Sequence, residues 1–235
     1  MTHKAYGPYE RFVKRPLDFF LALLVLLILS PIWMVTAILV RIKLGSPVLF
    51  KQERPGKDEK LFCLRKFRTM TDARNEKGQL LPDDVRLTGF GRGLRSTSLD
   101  ELPELLNIVR GEMAIVGPRP LLKEYLPYYT EEERRRHEVR PGLTGYAQVH
   151  GRNTGSWEEK FQKDLQYVDK ISFWGDTKII LETLVKVIKR SDIQVGSEIA
   201  AGRLDQARSK TASGGEKCFG IRMLPSENSD GKIFH

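Results

Sequence analysis

Hydrophobic positions are distributed very unevenly along this chain. Residues 19–40 form a run of 22 residues without a charged side chain (FFLALLVLLILSPIWMVTAILV), whereas charged residues are frequent through the rest of the sequence. A run of about 20 apolar residues is long enough for a helix to cross a bilayer. The pattern therefore predicts an N-terminal membrane segment attached to a polar, charged domain.

Three features of this run argue against a straight crossing. Ser30 and Pro31 lie in its middle, where proline removes a backbone hydrogen bond and bends the helix, and the serine hydroxyl can satisfy the freed carbonyl. The halves 19–30 and 31–40 are each too short to cross alone. Basic residues flank the run almost equally, so the positive-inside rule favours neither orientation. A hairpin that enters and leaves through the cytoplasmic face satisfies all three features, and a proline-kinked crossing helix is the alternative.

Shorter patterns follow the hydrophobic run. Period-two alternation predicts strands over 46–52 and 60–70, joined by a turn at 54–57. Residues 71–93 are charged and predict a loop. The glycine-rich GFGRG within them does not match a dinucleotide-binding fingerprint and carries little weight.

Helical periodicity of apolar positions predicts helices over 98–110, 156–170 and 174–190. The last of these is basic and amphipathic, which fits either a helix lying on an anionic membrane or the solvated face of a packed helix. The periodicity ends near residue 191, and the polar stretch 191–235 is predicted to be a loosely ordered tail.

These elements predict an α+β fold class, in which a re-entrant kinked membrane helix is attached to a compact cytoplasmic domain of amphipathic helices with short strands. The predicted boundaries are 1–45 for the membrane helix, 46–190 for the compact domain and 191–235 for the tail.

The overall composition excludes several classes of protein. The two cysteines, Cys63 and Cys218, are far apart, so they indicate neither a disulfide framework nor a zinc knuckle and favour a reducing compartment. No P-loop or GxSxG motif occurs. The net charge of +9 raises the alternative of a membrane-tethered nucleic-acid-binding protein. No helix-turn-helix, RNP motif or basic repeat supports that alternative, so no nucleic-acid partner is expected.

The strongest local signal is the sequence LDELP, in which Asp100 and Glu101 are adjacent. Ser98 and Glu101 match a capping box, which would make these acidic residues structural. Pro103 suits the first turn of a helix that starts nearer Asp100, which would leave both carboxylates available. Several basic residues occur nearby in the sequence motifs: Arg65, Lys66, Arg68, Arg92, Arg95 and Arg119. Carboxylates among such residues fit a divalent cation together with a pyrophosphate.

Two further motifs contain candidate site residues. In GPRPLL (117–122), prolines on both sides of Arg119 fix its backbone and direct its guanidinium, although a simple loop arginine would look the same. Residues 140–153 (RPGLTGYAQVHGRN) contain three glycines and are predicted to be a surface loop system that could line a site. His137 and His150 are expected to be structural or solvent-exposed rather than catalytic.

Together these motifs resemble the bacterial sugar transferase family, the small monotopic phosphoglycosyl transferases, and among them the PglC type. The resemblance covers about residues 9–190. Six ordered motifs carry it: FVKRPLDFF (12–20), Ser30-Pro31, KFRTM (66–70), RSTSLDELPELLN (95–107), GPRPLL and RPGLTGYAQVHGRN. The chain departs from the pattern in its tail, and at Tyr146 and His150, where the family leads us to expect tryptophan and asparagine.

The resemblance implies an enzyme that transfers a sugar-1-phosphate from a UDP-sugar to undecaprenyl phosphate and releases UMP, as the first membrane step of glycoconjugate assembly. Asp100 would be the nucleophile that forms a phosphosugar-enzyme, and Glu101 would be its partner. Mg²⁺ would bind at this pair, chiefly through Asp100, while Lys66, Arg95 and Arg119 would hold phosphates or the nucleotide. An acetamido sugar such as N,N′-diacetylbacillosamine is the first candidate, followed by N-acetylgalactosamine and galactose.

The resemblance also implies the re-entrant helix broken at Ser30-Pro31. The expected location is the inner membrane, with the catalytic domain and both termini in the cytoplasm and anionic lipid beneath them. Two alternatives to this covalent mechanism remain, a direct displacement and a scaffold without catalytic activity. Direct displacement would use both carboxylates only for Mg²⁺, and a catalytically inactive scaffold is disfavoured by the intact Asp100-Glu101 pair.

Overall fold

The computed structural model describes residues 5–151, 156–189 and 202–213. The helices are α1 (Lys14–Ile28), α2 (Ser30–Leu44), α3 (Asp83–Arg86), α4 (Gly89–Ser96), α5 (Glu104–Arg110), α6 (Glu131–Arg134), α7 (Tyr146–His150), α8 (Trp157–Asp169), α9 (Phe173–Lys189) and α10 (Leu204–Ser213). The strands are β1 (Leu49–Pro55), β2 (Leu61–Phe67), β3 (Ala114–Val116) and β4 (Gly142–Thr144). The predicted combination of amphipathic helices with short strands is confirmed.

The apolar run is broken in its middle. Helices α1 and α2 meet at Leu29, and the segments Tyr9–Ile28 and Ser30–Leu44 are bent by 65° relative to each other. The Ser30 hydroxyl donates to the carbonyl of Leu27 at 2.8 Å, as expected for a serine beside a proline break. Within the described ranges, no single helix is long and apolar enough to cross a membrane, and only the bent pair meets both criteria together.

Helix α1 packs against the rest of the protein along one side. Ala22 is fully buried in a cluster with Phe62 and Leu64 of β2 and Leu105 and Ile108 of α5. Asp18 is buried on the same side of the helix as Ala22, whereas Phe20, Leu24, Leu27 and Ile28 on the other side are exposed.

Strands β1 and β2 form an antiparallel hairpin that pairs Leu49 with Phe67 and Pro55 with Leu61. Both strands were predicted, but β1 begins and ends three residues later than expected. The turn consequently falls at residues 56–60 rather than 54–57, and Asp58 and Glu59 adopt positive φ angles there.

The stretch 140–153 is not the surface loop system predicted from its glycines. It contains β4 and α7, and β4 pairs in parallel with β3. Gly142 and Gly117 explain the glycine content, since a Cβ atom on Gly142 would lie 2.1 Å from the nitrogen of Gly117. These glycines permit close approach of two buried backbones, and Arg152 and Asn153 lie outside the described residues.

The charged stretch 71–93 is only partly a loop. It includes α3 and the start of α4, where the Thr88 hydroxyl accepts a hydrogen bond from the nitrogen of Gly91 at 3.0 Å. A Cβ atom on Gly91 would lie 1.8 Å from the carbonyl oxygen of Thr69, so GFGRG is a glycine-rich helix packed closely against backbone. Glycine has low helix propensity, which is why composition predicted a loop.

Helices α8 and α9 lie where periodicity predicted them. The prediction of a loosely ordered tail is wrong for residues 204–213, which form α10. Leu204 is fully buried in a cluster with Tyr125 and Trp157, and Arg208 forms a two-bond ion pair with Glu133, at 2.6 and 2.7 Å. Residues 190–201 and 214–235 of the predicted tail, including Cys218, lie outside the described residues.

Candidate active site

The two adjacent carboxylates lie on a short helical turn, Leu99–Glu101, that precedes α5. Ser98 has a left-handed backbone (φ 55°) and its side chain makes no capping hydrogen bond. The capping-box interpretation is therefore wrong. The regular helix begins at Glu104, after both expected starts, and Pro103 with φ −65° precedes its first turn.

Glu101 is neutralised by two cations from distant parts of the chain. Nζ of Lys66, on β2, lies 2.7 Å from Oε1 of Glu101, and Nη2 of Arg119, in the loop after β3, lies 2.8 Å from the same oxygen. Burial opposes the charge on Glu101, but the attraction of Arg119 and Lys66 outweighs it. The pKa of this carboxyl is consequently well below its ordinary value.

Asp100 has the opposite environment. Its side chain is buried, with 7% exposed, and it makes no hydrogen bond or ion pair with any residue that the structure describes. Burial and the neighbouring charge of Glu101 raise the pKa of Asp100, and Lys66, Arg95 and Arg119 offset this only in part. Two neighbouring carboxylates with divergent pKa values are typical of sites in which each has a separate role.

A third carboxylate, Glu104, was not identified from the sequence. It is 3% exposed, and its Oε1 lies 3.2 Å from Nζ of Lys66, so Lys66 lies between Glu101 and Glu104. Burial and the charge of Glu101 raise the pKa of Glu104, although Lys66 opposes this effect. Glu104 lies three residues after Glu101. Because the turn before α5 is not regular helix, helical periodicity did not predict that the two side chains share a site.

The cluster borders a cleft lined by Arg54, Leu64, Lys66, Glu104, Arg119 and Pro120. Arg54 is a cleft residue that no sequence motif indicated. The hairpin register pairs it with Phe62, which lies on the same sheet face as Leu64 and Lys66. The position of Arg54 in the cleft therefore follows from the strand register. The predicted turn at 54–57 would have put Arg54 outside the strand, so the sequence did not indicate this position.

The other basic candidates separate into two groups. Nε of Arg95 donates to the hydroxyl of Thr69 at 3.1 Å, and Arg95 is close enough to Asp100 to lower its pKa. Arg65 pairs with Glu112, while Arg68 and Arg92 donate to backbone carbonyls. Of the cluster over residues 64–68, Lys66 is the member that contacts the carboxylates of the site.

Neither histidine contacts this cluster. His137 is buried against the ring of Tyr129, and burial together with Arg136 and Arg134 lowers the pKa of His137 to about 3, so it is neutral. His150 stacks on Tyr146, and its Nε2 lies 3.2 Å from Oε2 of Glu182. These contacts are those of structural residues.

The fit of a magnesium ion depends on which oxygens are available. No group of three or more His, Cys, Asp or Glu residues is arranged to hold a metal in the portions of the chain with described coordinates. Mg²⁺ is commonly held by one or two carboxylates together with water and substrate phosphates. Asp100, whose oxygens have no donor among those residues, fits this mode, whereas Oε1 of Glu101 is already bound to two cations.

Comparison with known proteins gives consistent matches. The family model described as bacterial sugar transferase matches residues 9–190. An uncharacterised sugar transferase of Bacillus subtilis (strain 168), EpsL, is 53% identical over 191 residues, which are 81% of this chain and 95% of that protein.

Two other relatives have names that state a reaction. The UDP-glucose:undecaprenyl-phosphate glucose-1-phosphate transferase of Escherichia coli (strain K12) is 41% identical over 187 residues, 75% of this chain and 40% of that protein. The UDP-N-acetylgalactosamine-undecaprenyl-phosphate N-acetylgalactosaminephosphotransferase of Aeromonas hydrophila is 33% identical over 190 residues, 77% of this chain and 45% of that protein. The chain thus spans less than half the length of either.

Proposed function

The chain belongs to the bacterial sugar transferase family, and from that membership we propose that it transfers a sugar-1-phosphate from a UDP-sugar to undecaprenyl phosphate and releases UMP. The names of the Escherichia coli and Aeromonas hydrophila relatives support this reaction. The observation that carries the proposal is the contrast between Asp100 and Glu101. One buried carboxylate is without donors among the described residues, and its neighbour binds two cations.

The proposed reaction has two steps at Asp100. A carboxylate oxygen of Asp100 attacks the phosphorus next to the sugar, a new O–P bond forms, and the bond from that phosphorus to the bridging oxygen breaks. UMP leaves with the bridging oxygen and its electron pair. An oxygen of undecaprenyl phosphate then attacks the same phosphorus, and the bond to Asp100 breaks, which regenerates the carboxylate. Dividing the transfer allows two anionic substrates to use one site in turn.

The basic residues reduce the repulsion between the Asp100 carboxylate and a pyrophosphate. Lys66 and Arg119 lie beside the cleft and are held by Glu101, so they are pre-positioned to bind phosphate oxygens. Arg95 provides a third positive charge near Asp100. Asp100 would hold Mg²⁺, which would supply charge neutralisation at the pyrophosphate.

For the membrane, we propose that residues 1–45 form a re-entrant segment and that residues 46–190 form the catalytic domain. The 65° bend at Leu29 and the length of each half support entry and exit by the same face. Helix α9 supports an interfacial location, because Trp174 is 77% and Ile188 80% exposed on a helix that also carries lysines. Such a helix binds anionic lipid through both apolar burial and charge. This arrangement corresponds to an inner-membrane protein with both termini in the cytoplasm.

The reaction is tested by incubating the purified protein with Mg²⁺ and a panel of UDP-sugars, with and without undecaprenyl phosphate, and measuring UMP. The panel begins with UDP-N,N′-diacetylbacillosamine and includes UDP-N-acetylgalactosamine, UDP-galactose and UDP-glucose. We expect one sugar to release UMP in both conditions, in a burst without acceptor and continuously with it. UMP release that requires the lipid acceptor would instead support direct displacement, and no release with any sugar would refute the transfer reaction.

A further inference from the structure

The backbone that carries Arg119 has few ways to be anchored. Pro118 and Pro120 have no backbone N–H, so this three-residue segment is held mainly through its carbonyl oxygens. Each carbonyl accepts a hydrogen bond from a different part of the molecule. The backbone nitrogen of Gly142 donates to the carbonyl of Pro118 at 3.0 Å. Nη2 of Arg136 donates to the carbonyl of Arg119 at 2.7 Å, and Nη1 of Arg54 donates to the carbonyl of Pro120 at 3.4 Å.

The shortest of these bonds comes from Arg136, which is 2% exposed. A guanidinium buried this deeply is costly unless its donors and charge are satisfied. Asp164 on α8 satisfies them, because its Oδ2 accepts from Nε of Arg136 at 3.0 Å and from Nη2 at 2.8 Å. Arg136 also lies 5.6 Å from the centre of the Phe161 ring. The donor to the Arg119 carbonyl is therefore itself held in place by two side chains of α8.

This bond acts close to the site, because the carbonyl carbon of Arg119 is bonded directly to its Cα atom. The Arg119 side chain reaches from that Cα to Oε1 of Glu101, where Nη2 lies at 2.8 Å. A shift of the backbone would move the guanidinium by a comparable distance, and misplacement by about 1 Å can cost 100-fold in rate.

We infer that Arg136 is a positioning residue for Arg119: held by Asp164, it fixes the Arg119 carbonyl and thereby the guanidinium that faces the phosphate-binding cleft. The inference rests on the proposed function, because it assigns a purpose to the fixed position of Arg119. It concerns a residue outside the cleft that touches neither carboxylate of the Asp100-Glu101 pair.

The test replaces the buried pair as a unit, Arg136→Met with Asp164→Leu, so that no uncompensated buried charge remains. We expect a folded protein whose kcat/KM for the UDP-sugar falls by about 10- to 100-fold. The matched control is Arg208→Met with Glu133→Gln. Arg208 also lies over the Phe161 ring and also pairs with a carboxylate, that of Glu133, but this pair does not contact Arg119. Its replacement should therefore leave kcat/KM unchanged.

Coupling to Arg119 distinguishes positioning from a general structural effect. In an Arg119→Ala background, the pair replacement should cause no further loss of kcat/KM, because the group it positions is already absent. If the two losses multiply, or if the pair replacement alone retains wild-type kcat/KM, the inference is wrong. A wild-type protein that releases no UMP would refute the proposed function instead, which is a separate outcome.

A second variant covers the case in which the double replacement does not fold. Arg136→Lys keeps a positive charge beside Asp164 but offers a single ammonium in place of a planar group with several donors. We expect Arg136→Lys to lower kcat/KM, as the double replacement does. In the Arg119→Ala background it should cause no further decrease of kcat/KM. Multiplicative losses in this pair of variants would also overturn the inference.

Discussion

Lys66 and Glu101 are 35 residues apart in the chain, yet Nζ of Lys66 lies 2.7 Å from Oε1 of Glu101. The same carboxylate oxygen binds Arg119 at 2.8 Å. Glu101 is thus a half-buried anion that fixes two cations at the edge of a cleft. Asp100, the adjacent residue, has no such neutralisation from a direct contact among the described residues, and this difference underlies the predictions below.

Asp100→Asn should abolish both half-reactions, because an amide does not attack phosphorus and binds Mg²⁺ poorly. The measurement is intact-protein mass after mixing the wild type with UDP-sugar and Mg²⁺ without lipid acceptor, using rapid quenching. We expect a sugar-phosphate adduct that maps to Asp100 in the wild type and no adduct in the variant.

Glu101→Gln is the control for this experiment, because it removes a neighbouring carboxylate but keeps the nucleophile. It should slow adduct formation severely without eliminating it. Robust turnover with neither an adduct nor acceptor-independent UMP would show that Asp100 is a metal ligand only.

The rate of adduct formation should decrease as the pH falls. Burial, with the charge of Glu101, raises the pKa of Asp100 to about 6, and only the ionised carboxylate is a nucleophile. The acid limb of the pH–rate profile should therefore lie above about 4, where an ordinary aspartate titrates, and should move to lower pH as the Mg²⁺ concentration is raised, because a bound cation favours the ionised carboxylate.

The pH profile of Glu104→Gln provides the control, since Glu104 also has a raised pKa. The acid limb should persist in this variant because the neighbour that raises the pKa of Asp100 is Glu101. Loss of the limb would assign the titration to Glu104 instead.

Arg119→Lys should lose most activity although the charge is retained. A lysine ammonium is a point charge that cannot reproduce the planar arrangement of guanidinium donors toward phosphate. The kcat/KM for the UDP-sugar should fall by about 10-fold or more, the equivalent of one charge-assisted hydrogen bond. Arg65→Lys is the matched control because Arg65 pairs with Glu112 away from the cleft. Unchanged kinetics for Arg119→Lys would make Arg119 a loop residue only.

Single cysteines near residues 5 and 60 should both be protected from a membrane-impermeant thiol reagent in intact cells. The re-entrant topology puts both positions in the cytoplasm, whereas a crossing helix would expose one of them. The background variant needs Cys63 and Cys218 replaced by serine. Pro31→Ala should restore the missing backbone hydrogen bond and favour a straighter helix. Periplasmic labelling of either position in the background variant that keeps Pro31 would refute the hairpin.

Strong local signals in the sequence were sufficient for some of these features. Pro31 identified the helix break because proline has a direct backbone effect. The association of Asp100 with Lys66 and Arg119 was suggested by charge complementarity and motif resemblance. Their distances needed the folded structure, because β2, the turn before α5 and the loop after β3 meet only in three dimensions.

Features that depend on long-range packing were missed. Strands β3 and β4 have three residues each, which is too short for an alternating pattern, and their pairing depends on close contact of Gly117 with Gly142. Helix α10 is polar, and its attachment depends on Leu204 and Arg208 meeting partners far away in the chain. The role of Arg136 was hidden for the same reason, since its acceptor is a backbone carbonyl that no side-chain motif records.

The contact between Arg15 of α1 and the end of α5 has a consequence for the distance between reaction centre and bilayer. Arg15 donates to the carbonyls of Ile108 and Val109 at 2.8 and 3.1 Å, and α5 begins three residues after Glu101. Ala22 of α1 packs against Leu105 near the start of α5 and Arg15 binds its last turn, so the two helices lie side by side along the roughly 10 Å of α5. If α1 enters the membrane as proposed, this side-by-side contact would fix the height of Asp100 relative to the lipid headgroups. In the proposed reaction, a long and flexible polyprenyl phosphate would then need to bring only its phosphate group to that fixed depth.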